Sequence, residues 1–231
     1  MIVIAVANTK GGVGKTTITA ALAVAAAGEG ACVGVLDFDP QQSLSGWFER
    51  RETSDNLTVV AQAEYARSAV EQLDANDYDW LFIDSPPAFL TTVQDCIECA
   101  DLVVIPLRPS MLDIISTQDA VLLAGDADTP FICVLNDVAP TERKGIEKSA
   151  RDLLAKHKIP LADTTLVHRA SHVLGATVGK SAAEVNRGKD KKAAEEIGAL
   201  WAEIKAAALR ASAGQTCSSS ATKPAKVAAH G

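Results

Sequence analysis

Short apolar runs alternate along the chain with longer segments in which apolar residues recur every three or four positions. The runs are rich in Val, Ile and Leu, which is typical of strands buried on both faces of a parallel sheet. Seven segments fit a strand: 2–7, 32–36, 57–61, 80–83, 101–106, 130–136 and 161–167. The alternation predicts an α/β fold, a three-layer domain with a mainly parallel, twisted sheet of about seven strands and helices on both faces.

Helical periodicity is clearest in 18–27, 65–75, 141–158 and 193–209. In the last of these segments Ile197, Trp201 and Ile204 share one face, and we expect that stripe to pack in the core rather than on a membrane. The end of the chain is rich in Ser, Ala, Gly and Lys and has no large apolar residues. The sequence therefore predicts one domain over 1–211, followed by a disordered tail over 212–231.

Composition limits the class of protein. A chain of 231 residues with 48% apolar residues can bury a full core, and it has no apolar run near the ~20 residues of a membrane helix. Met1 leads straight into the first strand, so we expect no signal peptide and a cytoplasmic location. The five cysteines are scattered and odd in number, which suits a reducing compartment without disulfides.

Two of the cysteines, Cys96 and Cys99, have the C-x-x-C spacing that can hold a metal ion or an iron–sulfur cluster. No second pair accompanies them, and they lie in a segment that should be helical. A role in packing is therefore the favoured interpretation.

The net charge of −7 alone argues against a nucleic-acid partner, but the charge is unevenly distributed. Residues 1–139 contain 6 Lys and Arg against 20 Asp and Glu, whereas residues 140–231 contain 16 against 9. The basic excess of the second half is consistent with a surface that binds a polyanion. Solvated helix faces would explain the same pattern, and charge alone does not decide between the two interpretations.

The most informative stretch is 10–17, Lys-Gly-Gly-Val-Gly-Lys-Thr-Thr, which lies between a strand run and a helical segment. Its glycines allow backbone N–H groups to curl inward, and the following helix adds its positive N-terminal dipole, so the stretch is suited to a polyphosphate. Lys15 is expected on the β- and γ-phosphates, and the Thr16 hydroxyl on Mg²⁺. Counting back from Lys15 places Thr9 where the standard P-loop pattern has its first glycine.

The stretch matches the deviant motif K-G-G-x-G-K-T-T in full, and on this motif the chain resembles the ParA/MinD family of deviant Walker ATPases, in particular ParA-type partition ATPases. The resemblance implies a deviant P-loop NTPase fold, with ATP and Mg²⁺ as cofactors. In the family the first lysine, here Lys10, reaches across a homodimer interface to the phosphates of the other subunit, and it is catalytic together with Lys15. The implied nucleotide-binding residues are Lys10, Gly11, Gly12, Val13, Gly14, Lys15, Thr16 and Thr17.

Three aspartates follow predicted strands, at the edge where open α/β sheets bind ligands. The sequence Asp-Phe-Asp-Pro-Gln at 37–41 resembles the family pattern D-x-D-P-Q. By that resemblance Asp39 is the catalytic residue that positions the attacking water, and Asp37 is a carboxylate on the Mg²⁺ side. A turn in which Asp39 caps a helix is the alternative. Asp84 ends an apolar run as in a Walker B strand, and it is predicted to lie near Mg²⁺ through water.

Other segments also resemble family elements. Residues 85–87, Ser-Pro-Pro, are similar to the switch loop that senses the γ-phosphate, and 106–110 with Asp113 resembles a P-x-x-P-S element. Asn136, at the end of a strand run, is implied to contact the adenine edge. An Asn-Asp turn is the alternative for that residue.

Arg169 follows the last predicted strand, as an arginine does in the similar ParA segment, and it is the first candidate for contact with DNA phosphates. The basic stretch beyond it supplies further candidates: Lys180, Lys189, Lys191 and Lys192. Phosphate contacts of this kind are independent of DNA sequence. The alternative is that these side chains only solvate the surface.

The leading hypothesis is a small ParA-like ATPase of slow intrinsic turnover, which forms a homodimer around two ATP molecules and binds nucleoid DNA without sequence preference. The resemblance implies a ParB-like or small adaptor protein that stimulates hydrolysis, and a cargo positioned over the nucleoid. No helix-turn-helix domain precedes Met1, so operator binding is not expected.

Three alternatives stay open beside this hypothesis. A MinD-like membrane ATPase is disfavoured because no terminal amphipathic membrane helix is apparent, so no membrane partner is expected. A metal-cluster carrier is disfavoured by the placement of the cysteines. A kinase or synthetase of the same P-loop group would need a substrate pocket, and the sequence points to none.

Overall fold

Buried apolar strands form the centre of the molecule. The computed structural model describes residues 1–53, 56–61, 65–74, 77–87, 89–140, 143–185 and 191–215. Over these ranges the strands are β1 (Ile2–Val6), β2 (Val33–Asp37), β3 (Leu57–Ala61), β4 (Trp80–Asp84), β5 (Leu102–Leu107) and β6 (Phe131–Leu135). They form one parallel sheet in the order β3-β2-β4-β1-β5-β6. Every residue of β2, β4 and β5 is buried, as strands covered on both faces require.

Helices connect the strands and cover both faces of the sheet, so the three-layer α/β prediction is confirmed. The helices are α1 (Lys15–Gly28), α2 (Ser43–Glu49), α3 (Ala66–Asp74), α4 (Leu90–Glu98), α5 (Met111–Ser116), α6 (Gln118–Asp126), α7 (Arg143–Lys156), α8 (Ala170–Thr177), α9 (Ala182–Val185) and α10 (Lys191–Gln215).

Two hydrophobic cores lie on opposite faces of the sheet. On one face α1 and α10 are packed against the strands, and the Trp201 ring of α10 lies 5.0 Å from the Trp80 ring of β4 in an edge-to-face arrangement. On the other face α4 and α6 bury residues such as Ile97 and Ala120. The apolar stripe of α10 is thus part of the core, as predicted. Among the described residues, no helix combines the length and apolar character that a membrane crossing needs.

The described part of the chain has six strands rather than about seven, because 161–167 lies beside β6 and the residues after it but pairs with them in two isolated bridges rather than in a continuous ladder. Side chains occupy the backbone groups that a longer ladder would use. Glu203 accepts hydrogen bonds from the backbone N–H groups of Asp163 (2.8 Å) and Thr164 (2.9 Å). Arg151 donates to the carbonyl of Asp163 at 2.7 Å. The segment therefore hydrogen-bonds to β6 at both ends, for example from the Leu166 N–H to the carbonyl of Leu135 at 2.9 Å, while side chains of α7 and α10 hold its middle.

The last described helix is longer than the sequence predicts. α10 has 25 residues and ends at Gln215, so the predicted domain end at 211 falls inside it. Residues 216–231 of the predicted tail lie outside the described residues.

Strand register brings the carboxyl ends of three neighbouring strands level with one another. Asp84 of β4 is in register with Val6 of β1 and with Asp37 of β2. The glycine-rich loop follows β1 directly, so this loop and two buried carboxylates meet at one edge of the sheet.

Candidate nucleotide site

Glycine conformations shape the loop between β1 and α1. Gly12 and Gly14 have φ angles of 73° and 94°, in the left-handed region that side chains disfavour. A Cβ atom on Gly14 would lie 2.1 Å from the amide nitrogen of Asn136. That amide donates to the carbonyl of Val13 at 2.8 Å. Residue 14 must therefore be glycine for the loop to close against β6, and Asn136 fixes the loop from the far side.

Lys15 lies at the start of α1 with its side chain buried under the loop. Its Nζ donates to the carbonyl of Lys10 at 3.1 Å. Burial lowers the pKa of Lys15 from its ordinary value, and the nearby carboxylates of Asp84 and Asp39 oppose that shift. A buried ammonium that donates to a backbone carbonyl is well suited to a polyphosphate, which would supply further negative charge.

The Asp84 carboxylate is the most perturbed acid of the site. The Thr16 hydroxyl donates to it at 2.7 Å, and the Thr19 hydroxyl lies 3.3 Å from its other oxygen. Burial raises the pKa of Asp84 to about 7, and the negative charge of Asp37 adds to this rise, while Thr16 and Lys15 oppose it. A buried carboxylate of this kind is stabilised in its charged form by a cation.

Asp37 and Asp39 organise the loop between β2 and α2. Asp37 is fully buried and accepts hydrogen bonds from the backbone N–H and the hydroxyl of Ser45, both at 2.8 Å, so it holds the start of α2. Its other oxygen accepts from the N–H of Asp39 at 3.1 Å. Asp39 is partly exposed, and it accepts from the N–H of Gln41 at 2.9 Å, which forms a turn. The N-cap of α2 is Gln42, so Asp39 does not cap that helix, as its alternative role required. A turn leaves the second carboxylate oxygen of Asp39 available to a water molecule.

The predicted metal residues fit an ion held jointly by protein and phosphate. Thr16, Asp37 and Asp84 converge at the sheet edge, with hydroxyl and carboxylate oxygens of the kind that Mg²⁺ prefers. Within the described ranges, no group of three His, Cys, Asp or Glu side chains could hold a metal by itself. Mg²⁺ usually keeps waters and phosphate ligands, so it does not need such a group.

Lys10 lies on the outer side of the loop, opposite Lys15. Its Nζ forms an ion pair with the Asp113 carboxylate at the start of α5, and its side chain is 36% exposed. Asn8 holds the backbone at this point, because its amide oxygen accepts from Lys10 N–H at 2.9 Å and its amide nitrogen donates to the carbonyl of Pro106 at 2.9 Å. Sequence reasoning missed Asn8, since its partner Pro106 is 98 residues away.

The predicted switch loop begins directly after β4. Ser85 is buried, and its N–H donates to the carbonyl of Val6 at 3.2 Å. Its hydroxyl has no hydrogen-bond partner within the described ranges. Pro87 lies 3.9 Å from the position that a Cβ on Gly11 would take, so the loop touches the glycine-rich turn.

A cavity of about 780 Å³ extends from the glycine-rich loop to the end of β6. Asn136 lines it, and Asp137 beside Asn136 pairs with Arg108 at 3.2 Å and with the His168 ring at 2.5 Å. The cavity is large enough, from Gly12 to His168, to receive a base as well as phosphates. The Arg108–Asp137–His168 cluster was not foreseen from the sequence, because its three residues are far apart along the chain.

The predicted DNA-binding residues differ in how exposed they are. The Arg169 guanidinium is 17% exposed, lines the cavity and pairs with Glu196 of α10 at 2.6 Å. Lys180 lies between α8 and α9 and is partly exposed, whereas Lys191 and Lys192 are exposed at the start of α10. Lys189 lies outside the described residues.

Cys96 and Cys99 lie on α4 and at its end, on the side toward the core. Cys96 is fully buried and Cys99 half-buried. Burial raises the pKa of both thiols, that of Cys99 to about 11. Protonated thiols are poor nucleophiles, and the two side chains pack in or against the core on this face of the sheet.

Comparison with known proteins places this site in a family. The family model described as the CobQ/CobB/MinD/ParA nucleotide binding domain (CbiA) matches residues 4–198. The chain belongs to this family. The match begins in β1 and ends in α10, so it contains the loop, the three aspartates and the cavity.

Similar proteins within the CobQ/CobB/MinD/ParA family are known at moderate identity. A maintenance of carboxysome distribution protein A from Halothiobacillus neapolitanus is 29% identical over 87% of this chain and 95% of its own length. A protein ParA from Rhizobium radiobacter is 29% identical over 74% of this chain and 81% of its own. The septum site-determining protein MinD of Pyrococcus horikoshii, solved with Mg-ADP, superposes with a TM-score of 0.71 at 17% identity, covering 88% and 95% of the two chains.

Proposed function

We propose that the chain is a ParA-like ATPase that forms a homodimer around two ATP molecules, binds nucleoid DNA without sequence preference and positions a cargo. Family membership supports nucleotide binding. The single observation that carries the rest is the arrangement of two lysines on one loop, with Lys15 buried beneath it and Lys10 at its outer surface.

The buried lysine serves the nucleotide of its own subunit. Lys15 and the backbone N–H groups of the loop bind the β- and γ-phosphates of ATP. Thr16 and Asp84 hold Mg²⁺, which would neutralise phosphate charge. Asp39 accepts a hydrogen bond from the attacking water and directs it at the γ-phosphate. Hydrolysis is slow when one carboxylate only orients the water.

The partly exposed lysine, Lys10, serves a second subunit. Lys10 is paired to Asp113 within the chain, so its charge is neutralised until a stronger anion approaches. A triphosphate carries more negative charge than one carboxylate, and a second subunit would present that triphosphate at the loop surface. ATP binding and dimerisation are therefore coupled through Lys10.

DNA binding is proposed for the basic second half of the chain. Arg169 and Lys180 lie on either side of α8, and Lys191 and Lys192 begin α10, while α9 is packed against both helices. Dimerisation would double this surface and raise the effective concentration of the second contact, so DNA affinity would depend on ATP. Lys189, which lies outside the described residues, belongs to the proposed set on the basis of the sequence alone.

Names of the relatives support positioning as the role but leave the cargo open. One relative is named for carboxysome distribution and another is a ParA protein. A plasmid, a chromosome or an intracellular protein assembly would each fit, with a ParB-like or small adaptor protein as the partner that stimulates hydrolysis. A MinD-like membrane role is the second candidate, and the burial of the α10 apolar stripe disfavours it within the described residues.

The proposal is tested by light scattering and by binding to a random-sequence duplex, each with ATP, ADP or no nucleotide and with Mg²⁺. ATP should double the mass and give DNA binding, and Lys10→Ala should prevent both. Lys156→Ala, which removes an exposed lysine of α7, should change neither. An unchanged mass with ATP would overturn the dimer. Binding to anionic vesicles but not to DNA would favour the MinD-like role.

A further inference from the structure

Arg50 lies where the nucleotide cavity meets a second, smaller cavity. The second cavity measures about 420 Å³ and is bounded by α1, α2 and the segment from α8 to α9. Thr17, in the first turn of α1, lines both cavities together with Arg50. The Arg50 side chain therefore shares a wall with the residue that comes directly after the predicted Mg²⁺ ligand Thr16.

The Arg50 guanidinium has no carboxylate partner within 4 Å among the described residues. It donates one hydrogen bond, to the carbonyl of Ala176 at 3.2 Å. Three other arginines around the cavities are paired: Arg51 with Glu184, Arg108 with Asp137 and Arg169 with Glu196. Arg50 thus brings an uncompensated positive charge and several unused N–H donors to the cavity wall.

The backbone of Arg50 is held firmly against α8 and α9. The neighbouring Arg51 side chain is 2% exposed and binds Glu184 at 2.9 Å. Trp47 donates from its ring nitrogen to the carbonyl of Lys180 at 3.3 Å. A Cβ on Gly179 would lie 2.4 Å from the carbonyl carbon of Arg50, so the two segments touch through their backbones. The place of Arg50 on the wall is fixed by its surroundings, and only its side chain is free to reorient.

We propose that Arg50 binds the phosphate of the nucleotide nearest the sugar, the α-phosphate. The N–H groups of a P-loop cradle the α- and β-phosphates, and the Lys15 side chain reaches towards the β- and γ-phosphates. Thr17 follows the residues assigned to the β- and γ-phosphates and to Mg²⁺, so we assign the α-phosphate to the Thr17 side, where Arg50 lines both cavities. A guanidinium can give two parallel hydrogen bonds to one phosphate. The inference rests on the proposed nucleotide site and adds a residue outside the motif to it.

The contact has a consequence for nucleotide preference. ATP and ADP both carry an α-phosphate, so Arg50 contributes equally to their binding and does not distinguish them. Since α2 follows the loop that contains Asp39, this contact also ties α2 to the bound nucleotide in either state.

Isothermal titration with ADP and with a non-hydrolysable ATP analogue tests the inference. The main variant is Arg50→Gln, which keeps a polar side chain but removes the charge and most of the N–H donors. We expect a loss of affinity of about 10-fold or more for both nucleotides, as for other hydrogen bonds to charged groups. Arg50→Lys should recover part of the loss, and Arg210→Gln, on the exposed surface of α10, should have no effect.

Four results would separate the possibilities. Wild-type affinity for both nucleotides in Arg50→Gln overturns the inference while leaving the proposed function intact. A loss confined to the ATP analogue overturns the assignment to the α-phosphate. Unchanged nucleotide affinity with weaker binding to a random-sequence duplex overturns it too, and would assign Arg50 to DNA phosphates. Failure of the wild-type protein to bind either nucleotide overturns the proposed function and the inference together.

Discussion

The Lys10 ammonium and the Asp113 carboxylate form an ion pair within one chain, across the gap between the glycine-rich loop and α5. Burial alone would raise the pKa of Asp113, but hydrogen bonds from Lys10 and Ser110 outweigh it and hold the pKa below its ordinary value. The same lysine is proposed to bind phosphate in a second subunit. The ion pair and the dimer contact therefore compete for one side chain.

Removing the competing carboxylate should favour the dimer. In Asp113→Asn the Ser110 hydroxyl can still accept from the backbone N–H of residue 113 and so cap α5, but the side chain of residue 113 no longer neutralises Lys10. We expect ATP-dependent self-association at a protein concentration several-fold lower than in the wild type, measured by light scattering across a dilution series. Asp119→Asn, which removes an exposed carboxylate from α6, is the matched control. A midpoint shared by wild type and Asp113→Asn would show that the ion pair does not restrain Lys10.

Replacing each of the two lysines by alanine should impair a different step: nucleotide binding for Lys15 and dimerisation for Lys10. Lys15→Ala removes the buried ammonium beneath the loop, so ADP binding should be lost. Lys10→Ala leaves that site intact, so ADP should bind with nearly wild-type affinity while ATP-dependent dimerisation is lost. Calorimetry with ADP and light scattering with ATP measure the two effects. Equal loss of ADP affinity in both variants would mean that Lys10 serves its own subunit.

Asp39 should be needed for hydrolysis and dispensable for binding. Its carboxylate accepts a hydrogen bond from the Gln41 N–H, whereas Asp37 holds the start of α2 through Ser45. Asp39→Ala should therefore trap an ATP-loaded dimer with phosphate release reduced by roughly 10²-fold or more, the contribution of an acid–base residue. Asp37→Ala should instead lower the melting temperature. If Asp39→Ala bound no ATP, Asp39 would have to be assigned to metal binding rather than to hydrolysis.

The charge of Asp84 should destabilise the protein that has neither nucleotide nor Mg²⁺. Because its pKa is raised to about 7, the native state binds this proton more tightly than the unfolded chain, and stability should rise as pH falls from about 7 towards 4. Asp84→Asn should remove this dependence, and at about pH 8 it should melt several degrees above the wild type.

Thermal melts of both proteins at about pH 8 and about pH 5, on either side of the raised pKa, measure this effect. The difference between the proteins should shrink at the lower pH, where the wild-type carboxyl is protonated. Glu71→Gln, on the exposed surface of α3, serves as the control. The same difference at both pH values would mean that the charge of Asp84 is already compensated in the native state.

Substitutions at the paired Arg169 and at the exposed Lys191 and Lys192 should differ in their effect on stability. Arg169→Ala leaves the Glu196 carboxylate without this partner in a mostly buried position, so a loss of stability of about 1–3 kcal/mol is expected whatever happens to DNA affinity. Lys191→Ala with Lys192→Ala should leave the melting temperature unchanged.

The lysine pair has a distinct signature on DNA. Removing one lysine–phosphate interaction should flatten the slope of log affinity against log salt by about one unit, for any DNA sequence. A salt series on a random-sequence duplex with ATP measures it. An unchanged slope in the lysine variant would assign these side chains to solvation.

A site residue could be predicted from the sequence when the residues it acts with lie close to it along the chain. The loop at 10–17 and the strand-end aspartates were foreseen, because each is a contiguous pattern or follows from the rule that parallel strands end at one edge. Asn8 and Arg50 were not foreseen, because their partners Pro106 and Ala176 are distant in sequence.

The extra strand was predicted for a related reason. The run at 161–167 has the composition of a strand, but Glu203 and Arg151 bind its backbone groups from two different helices. Nothing in the run itself signals that competition. The alternation of apolar and polar residues thus determined the layers, whereas side chains far away in sequence determined the edge of the sheet.

The packing of α10 bears on how the chain folds as it is made. Trp201 and Ile204, near the end of the described chain, complete the same core as Ile4 and Ile18 at its beginning. On the ribosome, β1 and α1 emerge before α10, so one face of their core stays open until the residues of α10 have been released. The residues of α10 therefore decide when β1 and α1 become protected, and a chain truncated before α10 should be bound by chaperones or degraded.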